Sequence, residues 1–138
     1  LYQNILYVAS EKGLFQLNFE NEDVAQLSEK IFKKIKIYDD EYIYAIDKDL
    51  WRLSISSQNI EYIYSDVYGF EKHKEYIWMN RYRFSTLLNE SNSKSWDFDR
   101  SDGILGDIIY NIGIDNDWVW FATDHGLALF NWGRFYEF

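Results

Sequence analysis

Trp118-Val119-Trp120-Phe121-Ala122-Thr123-Asp124-His125-Gly126-Leu127-Ala128-Leu129-Phe130 is the stretch whose reading decides the fold. Trp118 to Thr123 is aromatic and β-branched, a composition that suits a pleated surface. Asp124-His125-Gly126 supplies turn residues, and Gly126 can take a positive φ at no steric cost. Leu127 to Phe130 then reads as a second strand running back. A helix is the competing reading of this apolar window. It loses because a glycine interrupts the window and each run is only about five or six residues, a strand's length.

Weaker copies of this hairpin recur upstream. Asn4 to Ser10 is followed by Gly13-Leu14-Phe15-Gln16-Leu17, Glu41 to Ile46 by Asp49-Leu50-Trp51-Arg52-Leu53, and Glu75 to Met79 by Phe84-Ser85-Thr86-Leu87. Leu6, Ile43, Ile77 and Val119 are the equivalent positions, spaced 37, 34 and 42 residues apart. A second anchor follows each of them, at Leu14, Leu50, Phe84 and Leu127. Four units with matching internal offsets indicate a repeat architecture.

Each unit has further apolar runs on either side. Lys33–Tyr38, Val67–Lys72 and Ile108–Ile114 precede units two to four; Asp23–Leu27, Asn59–Tyr64, Ser95–Phe98 and Arg134–Phe138 follow the four units. Four short strands per unit of this length make a β-propeller blade. No window sustains the three-and-four apolar spacing of a helical solenoid. The expected fold is therefore all-β: about four four-stranded antiparallel blades, near residues 1–30, 31–65, 66–102 and 103–138. The first blade lacks its innermost strand.

Ile114 to Phe130 resembles the two-component regulator propeller repeat: a short polar turn, a Trp-containing strand ending in Thr, a Gly-Leu pair, then an aromatic or aliphatic strand. Ser10 to Phe15 matches it in part. Units two and three depart from it. Asp49 and Arg83 stand in place of the glycine, and Ile46 and Met79 lie where the small-residue and Thr end of the strand is expected. The resemblance implies a large, often seven-bladed domain of a bacterial sensor protein, periplasmic or extracellular. In some members such a domain recognises oligosaccharides and signals to a kinase or another output domain.

Composition bounds the rest. At 138 residues one domain is expected. A chain without an initiating Met, starting partway through a blade, reads as a fragment or a processed chain. Four blades lie at the low end of closed rings, and an open arc leaves strand edges that need cover. The expected partners are the remaining blades of a longer chain or a second protomer. Aromatics at 20% suit packing between twisted sheets and suit a sugar-binding surface equally. No apolar run approaches the length of a membrane span. The absence of Cys rules out disulfide and thiol chemistry. A net charge of −9 argues against nucleic acid.

Chemistry-bearing motifs are few. His73 and His125 lie in different blades, without the neighbours a zinc site needs; His73 reads as a solvated residue of a charged turn. Asp and Asn at Asp39-Asp40-Glu41, Asp47-Lys48-Asp49 and Asp115-Asn116-Asp117 suit turns that bond their own backbone. Asp97 to Gly103 has loop-like Asp spacing, but Ser101 and Asp102 break the register of a calcium loop and no Glu closes it. Asp97 with Asp99, or Glu137 with another carboxylate, would serve a glycosidase only if both faced one cavity. No catalytic fingerprint appears, and neither a metal nor a cofactor is expected.

Function is therefore expected on the rim, where the turns between strands two and three and the connections between blades share a face. That face carries Lys12, Lys48, Arg81 and His125 as donors, with Asp99 to Asp107 as its longest connection. The expected role is non-catalytic recognition of an oligosaccharide or protein ligand. The alternatives are an assembly propeller that contacts proteins and a carbohydrate-active propeller enzyme.

Overall fold

The computed structural model describes residues 4–134, in two compact units that divide between Ser65 and Asp66. In the first unit, β1 (Ile5–Ser10), β2 (Gly13–Asn18) and β3 (Val24–Ser28) form one antiparallel sheet in chain order. A second sheet takes β4 (Lys34–Ile37), β5 (Tyr42–Ile46), β6 (Leu50–Ser54) and β7 (Ile60–Tyr64) in the same order. The second unit repeats the plan. One sheet holds β8 (Gly69–His73), β9 (Tyr76–Arg81), β10 (Phe84–Asn89) and β11 (Lys94–Phe98), and the other β12 (Ile109–Asp115), β13 (Trp118–Thr123) and β14 (Gly126–Asn131). The strand expected over Arg134–Phe138 falls mostly outside the described residues.

Register shows that the four repeats are equivalent. Leu6 pairs with Leu17, Ile43 with Leu53, Ile77 with Leu88 and Val119 with Phe130. Each of the four lies at the second position of its strand.

The third repeat departs from the sequence expectation. β9 runs on through Asn80 and Arg81, and the turn is Tyr82-Arg83, so Arg81 faces Phe84. In the first and last sheets the same closing pairs are Ser10 with Gly13 and Thr123 with Gly126. Phe84, not Arg83, thus occupies the glycine's place. The pattern stopped the strand at Met79 because Asn80 looks like a loop residue. A buried hydrogen bond from Asn80 lets the strand continue.

Within each unit the two sheets pack face to face. In the first, Tyr7, Ala9 and Leu14 of the β1–β3 sheet meet Ile35, Ile37, Ile43, Ala45 and Leu53 of the β4–β7 sheet. In the second, Trp78, Leu87 and Phe98 meet Ile112, Val119, Phe121 and Ala128. Trp132 closes this core, with Trp78, Tyr76 and His73 set edge-on to it. Burying each large apolar side chain stabilises by about 1.5–3 kcal/mol, and edge-on aromatic pairs add to that. His73 is therefore the last residue of β8, half-buried against Trp132, rather than part of a solvated turn.

Leu127 is the third correction. It pairs with Ala122 and is 61% exposed, while Ala128 is buried in its place.

Candidate functional site

Local backbone chemistry sets up the site in the second unit. Asp99 caps a short 3-10 helix, Arg100–Asp102: its Oδ1 accepts from the Ser101 N–H and Oγ, and Asp102 Oδ2 accepts from the Asp99 N–H. Gly103 ends the turn at φ 100°. The chain then reaches Asp107 and Ile108, whose N–H groups both donate to Asp124 Oδ1 at 3.0 and 3.1 Å. Gly106 makes this approach possible. It sits at φ 100°, and a Cβ there would lie 2.3 Å from Asp124 Oδ1. The Ile108 N–H, then His125 and the Asp107 N–H, hold the Asp124 carboxyl below the usual carboxylate range.

The pinned loop forms one wall of a groove of about 360 Å³. Asp107, Ile108, Ile109 and Tyr110 line that wall; Tyr68, Asn80, Arg81, Tyr82 and Arg83 line the other. Tyr68, Tyr82 and Tyr110 are each about two-thirds exposed (66%, 63% and 65%), so their rings are open to a ligand. Arg83 carries its guanidinium over the Tyr82 ring at 5.2 Å, and Arg81 over Phe84 at 5.0 Å. Asn80 is buried, its amide donating to the Ile109 carbonyl at 2.9 Å. This volume lies near the small end of ligand pockets, where apolar walls carry a few convergent polar groups.

Of the four rim donors read from sequence, Arg81 lines the groove as the last residue of β9. His125 lies one turn away, with Nδ1 3.2 Å from Asp124 Oδ1, and meets the groove only through that carboxylate. Lys12 and Lys48 lie exposed in the equivalent turns of the two sheets of the first unit. The Lys12 carbonyl accepts from Gln26 Nε2, and the Lys48 N–H donates to Asp47 Oδ1. Sequence reasoning missed Tyr68, Tyr82, Arg83 and Tyr110. The signal was present for two of them: Tyr82-Arg83 is the turn itself once β9 is given its full length.

A second recess of about 270 Å³ is lined by Arg83, Phe84, Asp97 and Asp99. It holds the carboxylates considered as a glycosidase pair, but both serve as acceptors. Asp97 Oδ1 accepts a hydrogen bond from the Thr86 hydroxyl at 2.6 Å. Ser101 holds the Asp99 carboxyl below its ordinary value, opposite to what a general acid requires. Glu137 lies outside the described residues. Among the described residues no group of three or more His, Cys, Asp or Glu could hold a metal ion, and no helix is long and apolar enough to cross a membrane.

No family model matches the sequence, and no curated protein matches it. Solved structures do match its fold. Two structures of the extracellular domain of BT4673 from B. thetaiotaomicron superpose with TM-scores of 0.74 and 0.73, both at 19% identity. That protein is assigned in one case to a one component system and in the other to a hybrid two component system. The N-terminal domain of Nup159 superposes with a TM-score of 0.67 at 10% identity over 94% of this chain and 38% of its own. The fold is that of a β-propeller. The match to BT4673 covers 91% of this chain but only 19% and 18% of those chains, so these residues span about a fifth of their length.

Proposed function

We propose that this chain belongs to the recognition domain of a bacterial extracytoplasmic sensor of the two-component regulator propeller type, and that it binds rather than transforms its ligand. The observation that carries the reading is the groove of Tyr68, Asn80, Arg81, Tyr82, Arg83, Asp107 and Tyr110. Three exposed phenol rings offer flat faces on which a sugar ring can lie, and the guanidinium and carboxylate groups at the rim can bond its hydroxyls. The likeness in fold to an extracellular sensor domain supports the same reading. The ligand this chemistry suits is an oligosaccharide of one or two rings within the groove, longer if it continues over Arg83 into the second recess. A glycan array followed by thermal-shift titration tests it. Wild type should respond to a subset of sugars and the Tyr82→Ala, Arg83→Ala double variant should not; silence of the wild type across the array overturns the reading.

A second reading, a propeller that assembles with other proteins, is favoured by the open apolar face of the last sheet. Silence to sugars together with stable association through that face would decide for it.

A further inference from the structure

Arg83 carries an exposed guanidinium that no described residue neutralises. It makes no hydrogen bond or ion pair among the described residues; its contact is the Tyr82 ring, 5.2 Å away. Acidic residues outnumber basic ones by 23 to 14 in this chain, and Arg52 and Lys30 each meet a carboxylate, at 2.5 and 2.6 Å. A guanidinium left open on such a surface, with its flat face against a ring, keeps the edge of its donor fork free for a ligand.

The charges around Arg83 decide which side an anion takes. Arg83 lines both the groove and the second recess. Asp97 and Asp99 share the recess with it, and they already accept hydrogen bonds from Thr86 and Ser101. The groove instead sets Arg83 and Arg81 against the one carboxylate of Asp107. An anionic group is therefore favoured on the groove side and repelled from the recess. Asp107 stands on the facing wall. Its N–H donates to Asp124, and its carboxylate has no partner among the described residues. Arg83 and Asp107 do not pair with each other, so the groove presents a fork of donors on one wall and an acceptor on the other.

A neutral sugar offers Arg83 only hydroxyl oxygens. A carboxylate offers two coplanar acceptors matched to the fork, and charge-assisted bonds are about twice as strong as neutral ones. Hydroxyls of the same ring can donate to Asp107. An anion on every ring would fit less well, because Asp97, Asp99 and the net charge of −9 oppose each further one. We propose that the groove takes an oligosaccharide containing one uronic acid, its carboxylate on Arg83 and its hydroxyls toward Asp107, with neutral rings beyond it. The inference rests on the sugar-binding reading above and adds the charge of the ligand to it.

The test compares each responder on the glycan array with its carboxyl-reduced form, in which the uronate has become a primary alcohol. In calorimetric titration of the full chain the acidic form should bind at least about tenfold more tightly, and added salt should weaken the acidic form alone. Arg83→Gln should bring the two affinities together by weakening the acidic form while the reduced form binds as before, which also shows that the groove is intact. Responders that are all neutral, or reduced forms that bind as well as acidic ones, overturn the inference and leave sugar binding standing. A preference for a sulfate ester, or for consecutive uronates, over the single uronate also overturns it, as does an Arg83→Gln variant that keeps the original ratio. An array without any responder overturns the sugar-binding reading itself, and this inference with it.

Discussion

The side-chain amide of Asn80 donates to the backbone carbonyl of Ile109 at 2.9 Å in a buried position, tying the end of β9 to the first residue of β12. This bond crosses from one sheet to the next. Its neighbours lock it: the Tyr68 N–H donates to the Asn80 carbonyl at 3.0 Å, and Gly69 lies against the Asn80 side chain. Tyr68, Asn80 and Ile109 all line the groove. The geometry of the candidate site therefore depends on a hydrogen bond between sheets and not on apolar packing alone.

Replacing Asn80 with Ala should cost about 1–3 kcal/mol, because it leaves the Ile109 carbonyl buried without its donor. Urea denaturation of the two proteins gives the difference directly. A change below about 0.5 kcal/mol, the usual range for an ordinary surface position, would show that water or another donor replaces the amide.

Gly69→Ala tests the same joint from the other side. A Cβ at Gly69 would lie 2.4 Å from Asn80 Oδ1, and the amide is held by its bond to Ile109, so it cannot swing aside freely. Overpacking of this kind costs about 1–3 kcal/mol. In the Asn80→Ala background the clash disappears, and Gly69→Ala should then cost far less. Equal cost in both backgrounds would place the strain elsewhere.

What the sequence made legible follows from what repeats. The β-strand pairs around Leu6, Ile43, Ile77 and Val119 could be read because each repeat solves the same packing problem with the same alternation. The groove could not, because it is built from positions at which the repeats differ. Asn80 is polar where Ala9, Ile46 and Ala122 stand in the other sheets, and its partner is a backbone carbonyl 29 residues away that no residue type reveals. Leu127 shows the opposite failure. It fits the repeat as well as Leu14 does, yet one is exposed and the other buried, since among the described residues the β4–β7 sheet packs over Leu14 and no core cluster includes Leu127.

Arg83 should trade stability against binding. It sits at φ 69°, in the left-handed region, one residue before the position at which the first and last sheets close on Gly13 and Gly126 at φ 121° and 116°. A side chain in that region costs about 1–2 kcal/mol, and glycine returns about 0.5–1 kcal/mol of this as lost backbone entropy. Arg83→Gly should therefore leave thermal stability unchanged or raise it by up to about 1 kcal/mol. If the groove binds as proposed, the same change should weaken ligand affinity at least tenfold. A variant that loses both stability and binding would mean that the guanidinium holds the fold together.

Asp47 should make the first unit sensitive to acid. Its Oδ1 accepts from the N–H groups of Lys48 and Asp49 at 2.5 and 2.8 Å and from the Trp51 indole at 2.9 Å, while Oδ2 meets Lys30 Nζ at 2.6 Å. Lys30 also lies 4.2 Å over the Trp51 ring. Burial pushes the carboxyl up, but Lys30, the Asp49 N–H, Trp51 and the Lys48 N–H outweigh it and hold the group well below the usual carboxylate range. A carboxyl held low contributes stability that is fully present above its unfolded value of about 3.9 and is lost as pH falls toward its folded value. Asp47→Ala should therefore cost about 1–2 kcal/mol at pH 7 through loss of the turn's acceptor. The gap between wild type and variant should hold down to about pH 5 and close progressively below pH 4. Parallel denaturation curves at pH 7, 5, 4 and 3 measure it. A gap that is the same at all four would show that the turn depends on the shape of the side chain and not on its charge.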